Sequence, residues 1–210
     1  MPALCLGPIP AHLAIHPWYA PHQAWLRDQG CRHHDPGDAL PQRANFIDAN
    51  FTGANCTDAD FTGADFTDAN CTGADFTGAN CTGADFTDAN FTDANFTRAD
   101  FTGAIFTDAI LPDGVPVVPD IDATILDAVR RKDCALNMQA WHTCDTTHCR
   151  AGWAIHLAGD AGYALEKRYG PDAAGALIYA ASRPGKPVPD FYCEDDAAMA
   201  DIEACAVASA

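Results

Sequence analysis

No stretch of this 210-residue chain approaches the roughly 20 consecutive apolar residues that a membrane span requires. Residues 1–20 hold Pro2, Pro8, Pro10 and Pro17 but no Lys or Arg, which does not fit the basic-then-apolar order of a secretory signal. Basic side chains are scarce throughout, 12 against 29 acidic, for a net charge of −17. Passive binding to nucleic acid and adsorption to anionic lipid are thereby disfavoured, because both surfaces would repel the chain. A phosphate-binding loop, a nucleophile elbow and a G-x-G-x-x-G turn are also missing. The expectation is a soluble, cytoplasmic protein whose ten Cys are reduced.

The scarcity is uneven. Residues 44–113 contain no Glu, no His and no Trp, and Arg98 is their one basic residue. They hold 12 Asp, so this third of the chain nets −11. Residues 1–43 balance Asp28, Asp35 and Asp38 against Arg27, Arg32 and Arg43. These shifts divide the chain into 1–43, 44–113, a Pro-rich link at 114–119, and 120–210.

Residues 44–113 repeat every five residues, in 14 unbroken units from Ala44-Asn45-Phe46-Ile47-Asp48 to Ala109-Ile110-Leu111-Pro112-Asp113. Ala opens every unit; the third position is Phe ten times, Cys three times and Leu once; the fourth is Thr twelve times. A period of five suits neither a 3.6-residue helix nor a two-residue strand. Fixed-period self-similarity is the mark of a solenoid.

The pattern resembles the pentapeptide-repeat family. That resemblance implies a right-handed quadrilateral β-helix in which four units make one turn and the first and third positions point inward. Fourteen units would make about 3.5 turns, rising by one strand spacing of ~4.8 Å each. The outer positions support a turn of twenty residues. Asp48, Asp68, Asp88 and Asp108 recur at that spacing, as do Gly63, Gly83 and Gly103, and Asp65 and Asp85. One side should therefore carry an Asp ladder flanked by Asp65 and Asp85, at some electrostatic cost. Cys56, Cys71 and Cys81 fall at inward positions on three different sides and read as small core fillers.

The acidic surface has two main readings. It can be a solvated exterior. Alternatively, 11 net charges over roughly 17 Å approach the density of duplex DNA, about one per 1.7 Å. The resemblance extends generically to family members implied to bind DNA gyrase as duplex mimics. This rod is shorter than such a mimic is expected to be. Ice binding through the Thr columns is a third, weaker reading, since the Thr pattern wraps all sides equally.

In residues 1–43, a short helix is expected at Ala24 to Gly30, and Trp18, Tyr19 and Trp25 could cover the open first turn of the solenoid. Cys31, His33 and His34 could bind metal, but no second ligand pair stands at a recognised spacing.

From Asp120 the pattern turns helical. Asp120 is the expected cap of a first helix with Ile121, Ile125, Leu126 and Val129 on one face. Further helices are expected at Ala151 to Leu157, capped by Thr146 or Thr147; at Ala161 to Tyr169; from Pro171 to Ser182; and from Glu194 to about Val207. The expected class is thus a small α-helical domain after the β-helix. Ile105 and Ile110 suggest a contact between the two.

Chemistry concentrates in Trp141-His142-Thr143-Cys144-Asp145-Thr146-Thr147-His148-Cys149-Arg150. His142, Cys144, His148 and Cys149 are suitable zinc ligands, though the usual spacings are absent. Cys149 at a helix start, with His142 or His148 as base, could be a nucleophile. Cys144 could pair with Cys149, Cys134, Cys193 or Cys205. The plainer alternative is a packed loop-to-helix junction pinned by Trp141 and Trp153.

Taken together, the sequence points to a non-catalytic interaction protein without a cofactor, presenting Asp48, Asp65, Asp68, Asp85, Asp88 and Asp108 to a protein partner. Its most concrete form is a DNA-mimicking modulator of a topoisomerase such as gyrase. The rival is a metal or thiol site in the helical domain, with the rod as spacer. A structural part of a larger particle is the third possibility.

Overall fold

The computed structural model describes residues 44–139, 142–144 and 146–208. The expected amino-terminal cover, the helix at 24–30 and the Cys31/His33/His34 set lie outside the described residues.

Residues 44–113 wind as a β-helix. Parallel bridges link Asn45 to Asp65, Asp65 to Asp85 and Asp85 to Ile105, and the same twenty-residue step recurs through Asn50, Asn55 and Asp60. Main-chain hydrogen bonds join the successive turns: Phe46 N–H donates to the Asp65 carbonyl at 2.7 Å and Asn70 N–H to Ala49 at 2.9 Å. Inside, Phe46, Phe66, Phe86 and Phe106 stack with centroids 4.7, 5.0 and 5.0 Å apart, the spacing of adjacent strands. Ala and Cys fill what the rings leave, and Cys56, Cys71 and Cys81 are buried as expected.

Each unit contains a corner turn, closed for example by Ala49 N–H donating to the Phe46 carbonyl at 3.0 Å. The residue before the Ala, at the fifth position, adopts positive φ: Asp48 at 56°, Gly63 at 65°, Arg98 at 57°. This is why the fifth position alternates between Gly and Asp, the former free of Cβ strain and the latter tolerant of that region.

The second position has an equally local role. From Asn45 to Asp100, the Asn or Asp Oδ1 accepts the N–H two residues on, at 2.9–3.1 Å. In most units the Thr hydroxyl donates to the same oxygen, as Thr67 does to Asp65 at 2.7 Å. Such Asx turns accept either residue type.

Five helices follow: α1 Ile121–Val129, α2 Arg150–Leu157, α3 Gly159–Tyr169, α4 Pro171–Ser182 and α5 Asp195–Ala208. α1 packs on α5, while α2, α3 and α4 pack on one another. Gly175 lets α4 approach α2 closely, since a Cβ there would lie 2.6 Å from that of Ala151.

Three local expectations are corrected. Asp120 occupies the cap position of α1 but with φ 47° and no side-chain cap bond. α2 is capped by Cys149, whose Sγ accepts from Gly152 N–H at 3.3 Å; Thr146 precedes and Thr147 belongs to a strand. The domain is also not purely helical. β1 Ala135–Leu136, β2 His142–Cys144 and β3 Thr147–His148 form a sheet of order β1-β3-β2, with β1 parallel and β2 antiparallel to β3.

The helical part and the rod share one hydrophobic core. At the carboxy-terminal edge of the rod, Gly103 N–H donates to the Val188 carbonyl and Val188 N–H to that of Ala104, both at 2.8 Å. Arg98 N–H donates to the Tyr169 carbonyl at 2.8 Å, and the Tyr169 hydroxyl reaches the Ala94 carbonyl at 3.0 Å. The last strands are thus paired rather than left as a bare edge. Of the two residues expected at the contact, Ile105 is half-buried and Ile110 stays 54% exposed, while the helical part meets the rod through Tyr169 and Val188.

Candidate functional site

Two regions warrant a functional reading. The first is the rod exterior. Asp48, Asp68, Asp88 and Asp108 are exposed, and Asp65 and Asp85 are half-buried on the same twenty-residue register. That side holds six of the twelve carboxylates and no basic residue. The other six, Asp58, Asp60, Asp75, Asp93, Asp100 and Asp113, are spread over the remaining units, where Arg98 also sits.

Local structure explains why these positions are Asp, Asn or Gly, but not how the types are distributed. Gly63, Gly83 and Gly103 share the positive φ of Asp48, Asp68 and Asp88. Asn70 and Asn90 make the same Asx turn as Asp65 and Asp85. Conformationally equivalent sites therefore carry six carboxylates on one twenty-residue register and two on each of the others.

The second region is the helical part. Cys149 is buried, and burial raises its thiol above its usual pKa despite the helix N–H groups that work the other way. A thiolate nucleophile is favoured by the opposite shift. His148 is buried too. Its ring stacks on His156 at 4.8 Å and meets Trp153 edge-on at 4.7 Å, while His156 Nδ1 lies 2.8 Å from the Tyr163 hydroxyl oxygen. His142 pairs with His148 in the β2–β3 register. The side chains of His142 and Cys144, which the zinc set and the Cys144 pairings need, lie outside the described residues. Among the described residues Cys134, Cys149 and Cys193 are free thiols, and Cys205 Sγ accepts from Arg183 Nη1 at 3.2 Å. No group of three metal-ligating side chains is present among them.

Sequence reasoning missed a buried ion network. Arg150 Nη2 donates to Asp122 Oδ1 at 2.9 Å, Nη1 to Asp201 Oδ2 at 2.6 Å, and Nε to the Tyr179 hydroxyl at 2.9 Å. Arg183 Nη1 donates to the second oxygen of Asp122 at 2.8 Å, and both guanidinium groups lie 5.2 Å from the Tyr179 ring centroid. Burial pushes the Tyr179 hydroxyl well above its usual pKa, partly offset by Arg150. The network ties α1, α2, α4 and α5 together. Its charges are paired internally, and it is read as structural.

The β-helix with one acidic side defines a repeat solenoid. Residues 42–68 and 69–108 match the family model described as pentapeptide repeats, in eight copies. This segment is a pentapeptide-repeat array, and such repeats imply a right-handed β-helix. Among solved structures, the chain is similar to a pentapeptide repeat protein of the Arabidopsis thaliana thylakoid lumen, at 37% identity over 41% of this chain and 59% of that one, with a TM-score of 0.26. It is also similar to a trypsin-treated variant of QnrB1, a plasmid-mediated fluoroquinolone resistance protein, at 25% identity over 34% and 40%, with a TM-score of 0.23. A third is a pentapeptide repeat protein of Nostoc, at 29% identity over 33% and 62%, with a TM-score of 0.22. The chain thus spans between two fifths and just over three fifths of these proteins. No curated protein sequence matches. Among the described residues no helix is long and apolar enough to cross a membrane.

Proposed function

We propose that this protein is a non-catalytic interaction protein, whose rod is a four-sided β-helix of about 3.5 turns that docks its acidic side on a basic protein surface. Bridges at a constant spacing of twenty residues support four sides. The observation that carries the reading is the uneven charge: the register of Asp48, Asp68, Asp88 and Asp108 holds six carboxylates and no basic residue, whereas each other twenty-residue register holds two.

The most concrete partner is a cytoplasmic DNA-binding enzyme of the gyrase type, whose duplex-binding cleft would accept the rod as a DNA mimic. Eleven net charges over roughly 17 Å give about one per 1.5 Å, near the duplex value of about 1.7 Å. Complementary charge speeds association and selects the partner more than it adds affinity. No cofactor and no catalytic residue is required.

The test is a supercoiling assay with gyrase, with and without a quinolone. The protein should alter supercoiling or protect against the drug in a dose-dependent and salt-sensitive way. No effect at a large molar excess would rule out gyrase as the partner.

A further inference from the structure

The joint between the rod and the helical part holds two buried polar atoms without a partner. In the eight units from Asp60 to Asn95 the Thr hydroxyl donates to the Asx oxygen two residues back, at 2.6–2.7 Å. Unit 99–103 breaks this rule. Thr102 N–H still donates to Asp100 Oδ1 at 2.9 Å, but Thr102 Oγ1 is buried and unpartnered among the described residues. Across the joint, Asp172 stands in the first turn of α4, and its Oδ1 is likewise buried and unpartnered. The Tyr192 hydroxyl donates to the Asp172 carboxylate. Buried polar atoms are normally satisfied, so each orphan calls for a cause.

The groups gathered around Asp172 and Tyr192 are acidic or neutral. They are Asp100 from the rod, Asp190 from the segment before α5, and the Cys149 thiol from the cap of α2. Arg98 lies to one side, its Cγ 4.0 Å from where a Cβ on Gly170 would stand. Burial raises the Asp172 carboxyl above its usual pKa, the Tyr192 hydroxyl opposes this, and Asp100 adds to the rise. The same segment makes the main-chain contact with the rod: Gly103 N–H donates to the Val188 carbonyl and Val188 N–H to that of Ala104.

We infer that Asp172 is a proton-operated latch on this joint: a proton shared with Asp100 keeps residues 187–192 seated on the rod edge, and its loss lets the two carboxylates repel and the segment lift. A proton is the ligand that suits these atoms. Taking it up turns the orphan oxygen of Asp172 into a donor, and the rod presents Asp100 and Thr102 as acceptors. Two facing carboxylates hold one proton in this way, and the titration belongs to the pair. Tyr192 is 59% exposed, so solvent reaches the joint. The folded joint binds the Asp172 proton more tightly than the unfolded chain does. The latch is therefore complete below the ordinary carboxyl range, about pH 4, and is lost as pH rises through the raised one. Lifting uncovers Gly103 N–H and the Ala104 carbonyl, an unpaired strand edge open to another chain.

Hydrogen exchange of the full-length protein tests this, read by NMR at the Gly103 and Val188 amides and corrected for the chemical dependence on pH. Protection at both should fall by about tenfold or more from about pH 4.5 to about pH 7.5, while the turn-to-turn amides of Asn70 and Asp85 keep theirs. Asp172→Asn cannot ionise and still accepts from Tyr192, so both amides should stay protected at either pH. Asp100→Asn keeps the Asx turn, as Asn80 does one turn earlier, and should shrink the fall to less than about threefold. Should Asp172→Asn not fold, Asp100→Asn decides alone. The proposal is overturned if protection at Gly103 and Val188 does not change with pH in the unaltered protein. It is equally overturned if the fall persists in Asp172→Asn, is undiminished in Asp100→Asn, or is matched at Asn70 and Asp85, which would place the titration in the whole rod.

Discussion

Replacing Asp122 by Ala tests the energetic reading of the helical part. Asp122 is buried at 2% exposure, and its two oxygens accept from Arg150 at 2.9 Å and Arg183 at 2.8 Å. Charge-assisted hydrogen bonds contribute about 1.5–3 kcal/mol each. Removing one partner of a buried pair costs about 3–5 kcal/mol, because the remaining charge is stranded. Here two guanidinium groups lose their shared carboxylate beside one Tyr ring. The expected loss is therefore about 3–5 kcal/mol, a large share of the roughly 5–15 kcal/mol that holds a typical domain folded. Urea denaturation followed by far-ultraviolet circular dichroism would measure it. Arg130→Ala is the control: its pair with Glu203 at 2.8 Å has both side chains at least half exposed, so the change should cost no more than about 1 kcal/mol. In a double-mutant cycle, Asp122→Leu with Arg150→Met should cost less than the two single changes summed. A loss under about 1 kcal/mol for Asp122→Ala, or strict additivity in the cycle, would refute the reasoning.

Phe86→Ala should destabilise the rod by about 3–5 kcal/mol, since its ring is fully buried between Phe66 and Phe106, and thermal denaturation reads the loss. The rod thiols predict a pH dependence. Burial pushes Cys56 up to about 12 and holds Cys71 and Cys81 well above their usual range, so the folded rod keeps protons that the unfolded chain releases near 9. Their stabilisation is complete below pH 9 and declines from 9 towards 12, by up to about 1.4 kcal/mol per thiol per pH unit. Urea melts at about pH 8 and about pH 10.5, either side of the unfolded thiol's range, should show a smaller decline when all three are replaced by Ala. The raised Tyr hydroxyl groups contribute equally to both proteins.

The rod was readable because its rule is local and repeated. Ala and Phe at fixed offsets specify the inside, and recurrence at twenty residues specifies the stacking. The same repetition made the corner conformation readable in principle, since Gly and Asp share the fifth position. The helical part was readable where periodicity is long, as in α4, whose bounds from Pro171 to Ser182 match the expectation. It failed where elements are short or partners distant. Strands of two or three residues carry no alternation to detect. Cys149 caps α2 although Cys is not a favoured cap type, so Thr146 and Thr147 drew the expectation. Asp122 looks like any acidic residue in a first helical turn, and only folding brings it to Arg150, 28 residues away, and Arg183, 61 away.

The central claim is that one side of the rod, rather than its bulk charge, is read by a partner. Two full-length variants with equal net charge test it. One replaces Asp48, Asp65, Asp68, Asp85, Asp88 and Asp108 by Asn; the other replaces Asp58, Asp60, Asp75, Asp93, Asp100 and Asp113. Asn retains both the corner conformation and the Asx turn. Binding of each to gyrase, measured by surface plasmon resonance at low and physiological salt, should fall at least tenfold for the first variant and little for the second. Equal losses, or none in either, would contradict the account.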